Sequence, residues 1–376
     1  MFEILRSILI AIVVIFLGTS RGRKFASIAA KKAVRNHIHK IPMRYRLLVI
    51  GKAFSLPYPS LTRRLLKMAT SPVGDENQHI ATIAMDSFHA TWIGPYIGRL
   101  KNAEEWIAQN AAWQADAVIL YFHGGGFRHG HSTQYMASFL EIINRLQNKH
   151  GMWTLILSVE YSLSPESVWP TAQKECVNAY LYLIFALGIA SSKIIVAGDS
   201  AGGWLTAEAI LTMRDQRRHK ELADLPPISL PAGCVMISPL VTMEMDSPTY
   251  KTNIETDYIR PEALKSYIDD YLPQLSTMNE NERAAYLKNP FISPIYADYT
   301  GFCPTLLAIG GGEVFRHDLE KLFKRLKDKN VQAEVLMRDK APHVWLVDPA
   351  LSCTREEWIQ DIDKIVDWSA KVIQRK

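Results

Sequence analysis

The sequence predicts an α/β fold, with a mostly parallel central sheet covered by helices on both faces, and three observations carry that expectation. From about residue 117 onward, short apolar runs alternate with longer amphipathic stretches, the pattern of strands joined by crossover helices. Several of the runs are apolar throughout, as strands buried on both faces are. Two of them lead directly into glycine-rich turns, His123-Gly-Gly-Gly126 and Gly198-Asp-Ser-Ala-Gly202.

A chain of 376 residues has room for one large domain of about 250 to 300 residues and an additional segment. Its 48% hydrophobic and 22% charged residues exclude a mainly disordered or collagen-like chain. The net charge of +5 is unevenly spread: residues 1–67 hold 14 Lys and Arg against one acid, Glu3, leaving 29 bases against 37 acids in the rest. A basic collar beside an apolar segment suits an anionic lipid surface, and no recognised nucleic-acid-binding fold organises these cations. The expected partner is therefore a membrane and not a nucleic acid.

The first element is the uncharged apolar run over residues 7–17. It is short for a bilayer span, which needs about 20 apolar residues. We read residues 1–19 as an uncleaved single-pass anchor, with cleavage after Ser20 as the alternative. Residues 20–100 follow as a basic amphipathic region in which Ile38, Leu47, Leu48, Ile50 and Phe54 alternate with cations, broken at Pro57 and Pro59. Such helices serve either a membrane surface or a lid over the rest of the molecule. A third domain is expected over residues 101–376, with strands over 117–122, 154–159, 193–197, 234–237, 305–309 and 333–337. Helices are expected over 134–146, 171–187, 204–213, 318–326 and 355–372.

Ser200 is the leading candidate for a reactive group. It follows an apolar strand and precedes a helical stretch, and Gly198, Ala201 and Gly202 leave room for the strained strand-to-helix turn of a nucleophile elbow. The helix start favours negative charge at that point. His123-Gly-Gly-Gly126 ends the strand over 117–122, where a glycine-rich loop can turn backbone N–H groups toward an oxyanion; Gly124 and Gly125 are the expected donors, with Ala201 as the third. Asp199, Gly126 and His123 complete the two motifs. No Walker lysine or GxGxxG run supports a phosphate loop instead. The four cysteines are widely spaced, so neither a metal site nor a disulfide framework is indicated.

With Glu160-Tyr-Ser-Leu-Ser-Pro-Glu166 and Pro342-His343, these motifs resemble the hormone-sensitive lipase-like family of α/β-hydrolases over roughly residues 117–376. The resemblance implies ester hydrolysis by Ser200, with no metal or organic cofactor. It points to His343 as general base, in a loop after the last strand. Counting from Pro304 lands on Glu313 as the acid, where the family commonly has Asp; Asp318 remains the alternative. A cap insertion is implied over about 240–294. The anchor, collar and cap together look like the membrane-bound deacetylase branch, and most like the fungal steryl acetyl hydrolases. The implied substrate is a short-chain, foremost acetyl, ester of a lipophilic alcohol such as a sterol. A broad carboxylesterase, a glycerolipid lipase and a non-catalytic ligand-binding homologue are the alternatives. Cations after the apolar run favour a cytosolic catalytic side, whereas the resembling deacetylases face the lumen of the endoplasmic reticulum.

Overall fold

The computed structural model describes residues 28–375, apart from Ala30 and Asn36. The expected anchor over residues 1–19 lies outside the described residues, as does the start of the basic region. Among the described residues no helix is long and apolar enough to cross a membrane.

Eight strands form one sheet: β1 (Ile80–Met85), β2 (Phe88–Ile93), β3 (Ala117–Phe122), β4 (Thr154–Val159), β5 (Ile194–Asp199), β6 (Gly233–Ile237), β7 (Thr305–Gly310) and β8 (Ala333–Arg338). Their order is β1-β2-β4-β3-β5-β6-β7-β8. The pairings β1·β2 and β2·β4 are antiparallel and the rest are parallel. The sheet thus begins at Ile80, ahead of the boundary expected at residue 101. Polar residues such as Thr82, His89 and Thr91 interrupt β1 and β2 and obscure the alternation of a hairpin in the sequence.

Strands β3 to β7 are buried along their whole length, as their continuous apolar runs require. Alternate side chains feed two cores. Val118, Leu120 and Phe122 join one, beneath the helices Thr171–Leu181 and Ala201–Arg214. Ile119 and Tyr121 join the other, beneath Met136–His150 and Arg355–Ile373. Truncating one of these aliphatic side chains to Ala would cost about 2 to 5 kcal/mol.

The parallel register brings the ends of neighbouring strands level. Phe122 lies opposite Gly198, and Asp199 opposite Ile237. The turns after β3, β5, β6, β7 and β8 therefore meet along one edge of the sheet.

Two further groups of helices cover that edge. The segment over 240–294 carries Thr249–Thr252, Pro261–Tyr271 and Glu280–Leu287. From the other side come Met43–Phe54 and Pro59–Thr70, separated where Pro57 and Pro59 interrupt helical geometry and with Pro59 in the first turn of the second helix. Part of the basic region is thus a lid. Arg46, buried, donates to the carbonyls of Ala350 (2.6 Å) and Ser352 (2.8 Å). Arg63 forks onto Glu166 at 2.9 and 2.8 Å and reaches the carbonyl of Arg128 at 2.8 Å.

Candidate active site

Ser200 occupies the turn between β5 and the helix Ala201–Arg214, with φ 53° and ψ −119°. A non-glycine residue held there stores about 1 to 3 kcal/mol of backbone strain. The turn is held from both sides: the Ser200 N–H donates to Ile237 O (3.0 Å), and Ser200 O accepts from Leu240 N (2.9 Å) and Trp204 N (3.1 Å). Small neighbours are obligatory, because a Cβ on Gly202 would collide with the Phe122 carbonyl.

The glycine loop is fastened to this turn by Asp199. Its buried carboxylate accepts from Tyr121 (2.8 Å), Tyr135 (2.7 Å) and the Gly124 N–H (2.9 Å). Burial pushes its pKa up to about 6, against the pull of those three donors. One expectation is corrected here: the Gly124 N–H is directed at Asp199 and is not free for an oxyanion. Among the described residues, the N–H groups of Gly125, Gly126 and Ala201 have no acceptor. Gly125 has φ +123°, which an L side chain rarely adopts. His123 lies to one side, stacked on Tyr161 with ring centroids 4.2 Å apart.

His343 follows β8, and its Nδ1 lies 2.9 Å from Glu313 Oε2 in a wholly buried pair. The other carboxylate oxygen accepts from Gly310 N (2.6 Å) and from the Ser238 hydroxyl (3.1 Å). Because Nδ1 faces a carboxylate, the network assigns its proton there, leaving Nε2 as the basic nitrogen. Nε2 is buried and has no partner among the described residues, so Ser200 Oγ is not hydrogen-bonded to it here. Such bonds are often long before substrate binds. Burial lowers the His343 pKa, opposed by the charges of Asp257 and Asp199, so the imidazole is neutral near pH 7. Burial also pushes the Glu313 pKa upward, opposed by the Gly310 N–H and the Ser238 hydroxyl, which with the Nδ1 proton of His343 favour the carboxylate.

Asp318, the alternative acid, is held elsewhere. It sits in the first turn of Arg316–Asp328 and accepts from Ser247. Glu313 is the carboxylate that reaches His343.

Two residues without a motif complete the arrangement. Ser238 directly follows β6, donates to Glu313 and accepts from Val344 N (3.1 Å). Asp257, in the cap segment and fully buried, accepts from His343 N (3.2 Å) and from Val314 N (2.8 Å), tying together the loops that carry His343 and Glu313. Ser238-Pro239 at a strand end was a faint signal for the first; nothing local marks Asp257.

Above Ser200 lies a cavity of about 1080 Å³. Its floor includes Gly125, Gly126 and Ser200, and its walls include Phe54, Leu66 and Tyr267. Phe127 stacks on Tyr271 at 3.9 Å, and Arg128 donates to Pro57 O (3.1 Å) and Ser266 (3.0 Å), so the glycine loop touches both covering segments. Among the described residues no cluster of His, Cys, Asp and Glu could hold a metal ion.

A family model described as alpha/beta hydrolase fold matches residues 119–347. The chain belongs to this α/β-hydrolase family, in its hormone-sensitive-lipase-like group. An esterase of Acinetobacter venetianus is 28% identical over 233 residues, 62% of this chain and 66% of the relative. An acetyl-hydrolase of Streptomyces hygroscopicus is 29% identical over 219 residues, 58% of this chain and 64% of the relative. The matches thus span somewhat less than two thirds of these relatives' length. A crystal structure of an esterase from the bacterial hormone-sensitive lipase family superposes with a TM-score of 0.67 at 28% identity, covering 89% of this chain and 99% of that one.

Proposed function

We propose that this chain is a serine carboxylic-ester hydrolase that removes short acyl groups, acetyl foremost, from lipophilic alcohols such as sterols. The observation that carries the chemistry is the buried Glu313–His343 pair at 2.9 Å, on the same sheet edge as a strained Ser200 flanked by free N–H groups. Ser200 Oγ attacks the ester carbonyl while His343 Nε2 takes its proton. His343 then protonates the departing alcohol, and water releases the acyl group by the reverse path. Glu313 holds the imidazole and offsets its charge. Gly125, Gly126 and Ala201 donate to the oxyanion, with Gly126 in the role expected of Gly124. No metal or organic cofactor enters these steps.

The size and apolar walls of the cavity support a bulky alcohol, and the acetyl-hydrolase relative supports a short acyl group. The same cavity also suits a long acyl chain, the second reading being a broad carboxylesterase or glycerolipid lipase. A fluorophosphonate probe tests the nucleophile: it should label the wild type and spare Ser200→Ala, whereas no labelling of the wild type would favour a ligand binder and equal labelling of both would overturn Ser200 as the nucleophile. An ester panel separates the substrates, since the first reading requires cleavage of steryl acetate and no cleavage of long-chain triacylglycerol.

The same reading puts the chain at a membrane, the endoplasmic reticulum foremost, through the residue 1–19 anchor and the basic collar. The 14 cations in residues 1–67 support it. Protease protection in sealed microsomes tests the side: digestion of the catalytic domain without detergent excludes the lumen.

A further inference from the structure

The lid helices present an outer face that the rest of the molecule leaves uncovered. Tyr45, Leu48, Val49, Leu61, Leu65 and Met68 are all exposed there, Val49 by 68% and Met68 by 61%. Exposed cations stand among them, Arg44 and Lys52 on Met43–Phe54 and Arg64 and Lys67 on Pro59–Thr70. No Asp or Glu occurs between Glu3 and Asp75. An exposed apolar patch interleaved with one sign of charge marks an interaction surface.

The cavity opens on this face. Val34, Val49 and Leu65 line it and are also exposed, so they stand at its mouth, together with the exposed cations Lys32, Lys40 and Arg355 and two exposed acids, Asp75 and Glu356. The floor of the same cavity is Ser200 with the glycine loop. A path therefore runs from an apolar rim of mixed charge, beside the cationic outer face of the two helices, to Ser200.

We propose that Met43–Phe54 and Pro59–Thr70 dock on an anionic lipid surface and that the ester enters through this mouth directly from the lipid, a proposal that rests on the esterase reading for its second half. Charge decides the occupant. A bilayer bearing phosphatidylserine offers negative charge to the cations and hydrocarbon to the apolar side chains. A second copy joined through the same face would set cation against cation. The apolar run over residues 7–17 lies a short stretch before the face in sequence, which fits a chain already held near a bilayer. Substrate then needs no passage through water, where an ester of a large apolar alcohol is scarcely soluble.

The test uses the full chain, vesicles of phosphatidylcholine with or without phosphatidylserine, a steryl acetate carried in them, and p-nitrophenyl acetate in solution. With the wild type, phosphatidylserine should raise the rate on the vesicle-borne ester, and added salt should remove the gain. The triple variant Leu48→Glu, Leu61→Glu, Met68→Glu changes exposed residues outside the cavity lining. It should lose about tenfold or more on the vesicle-borne ester while its p-nitrophenyl acetate rate stays unchanged. An unchanged ratio of the two rates, or equal rates on both vesicle types, overturns the proposal. So does a wild-type dimer that the triple variant dissolves, which would make the face a self-interface. Should the triple variant fail to fold, Arg64→Ser with Lys67→Ser must abolish the phosphatidylserine gain for the proposal to stand. An inactive wild type would sink the esterase reading instead, and vesicle flotation would still report on docking.

Discussion

The sheet edge that carries Ser200 and the two helices that cover it are held by different means. At the edge, short loops cross-link through buried donors and acceptors: Asp199 takes three hydrogen bonds, Glu313 takes two besides His343, and Asp257 takes two from separate loops. Each such group would be costly if left unpaired, by about 1 to 3 kcal/mol, so the geometry is over-determined. The covering helices lean on a few arginines and an apolar underside, and their outer face is free. Ser200, Glu313 and the backbone of His343 are thus fixed by networks, while the walls of the cavity are attached by contacts that can be lost one at a time.

That contrast can be broken most sharply at the edge. Ser200→Ala should lower kcat on the order of 10⁴-fold or more with the fold intact, measured by ester turnover alongside circular dichroism. Glu313→Gln comes next, with a loss of about 10² to 10⁴-fold, because the amide cannot hold the imidazole in the required tautomer. Asp318→Asn should stay within about threefold of the wild type, its partner being Ser247, and a larger loss than that of Glu313→Gln would reverse the assignment.

Asp257→Asn should cost about tenfold in kcat, and it should also move the pH profile. Asp257 raises the pKa of His343, so its neutralisation lowers that pKa further and shifts the acid limb of kcat/KM to lower pH. In the wild type that limb should already lie below the usual histidine value of 6.5, since burial disfavours the imidazolium and only the neutral form can act as base. An acid limb above 6.5 would contradict the burial argument. The smallest effect is expected on the lid. Arg63→Ala removes the fork on Glu166, which is largely solvent-exposed, and should lower Tm by only roughly 2 to 4 °C while raising KM more than it lowers kcat.

Much of the fold was legible because β3 to β7 are buried on both faces and their apolar runs stand out against amphipathic helices. β1 and β2 were not, since β1 is a partly exposed edge strand and β2, though largely buried, is broken by the polar residues His89 and Thr91, so both read like the basic region before them. At the site, Ser200, the glycine loop and His343 were readable because each must sit in a glycine-rich turn or at a strand end. The donor role of Gly124 was misread: its N–H is satisfied by Asp199, and only the packed loop shows which glycine N–H groups remain free.

By itself the sequence determined the succession of strands from β3 to β8 with most of their crossover helices, the small-residue turn at Ser200 and the concentration of positive charge at one end of the chain, all of which are local in sequence. Tertiary structure decided the choice of Glu313 over Asp318, the part played by Asp257 and the location of the cavity mouth. Those depend on which loops meet at one edge of the sheet, over separations such as the 86 residues between Asp257 and His343, where no local pattern reports proximity.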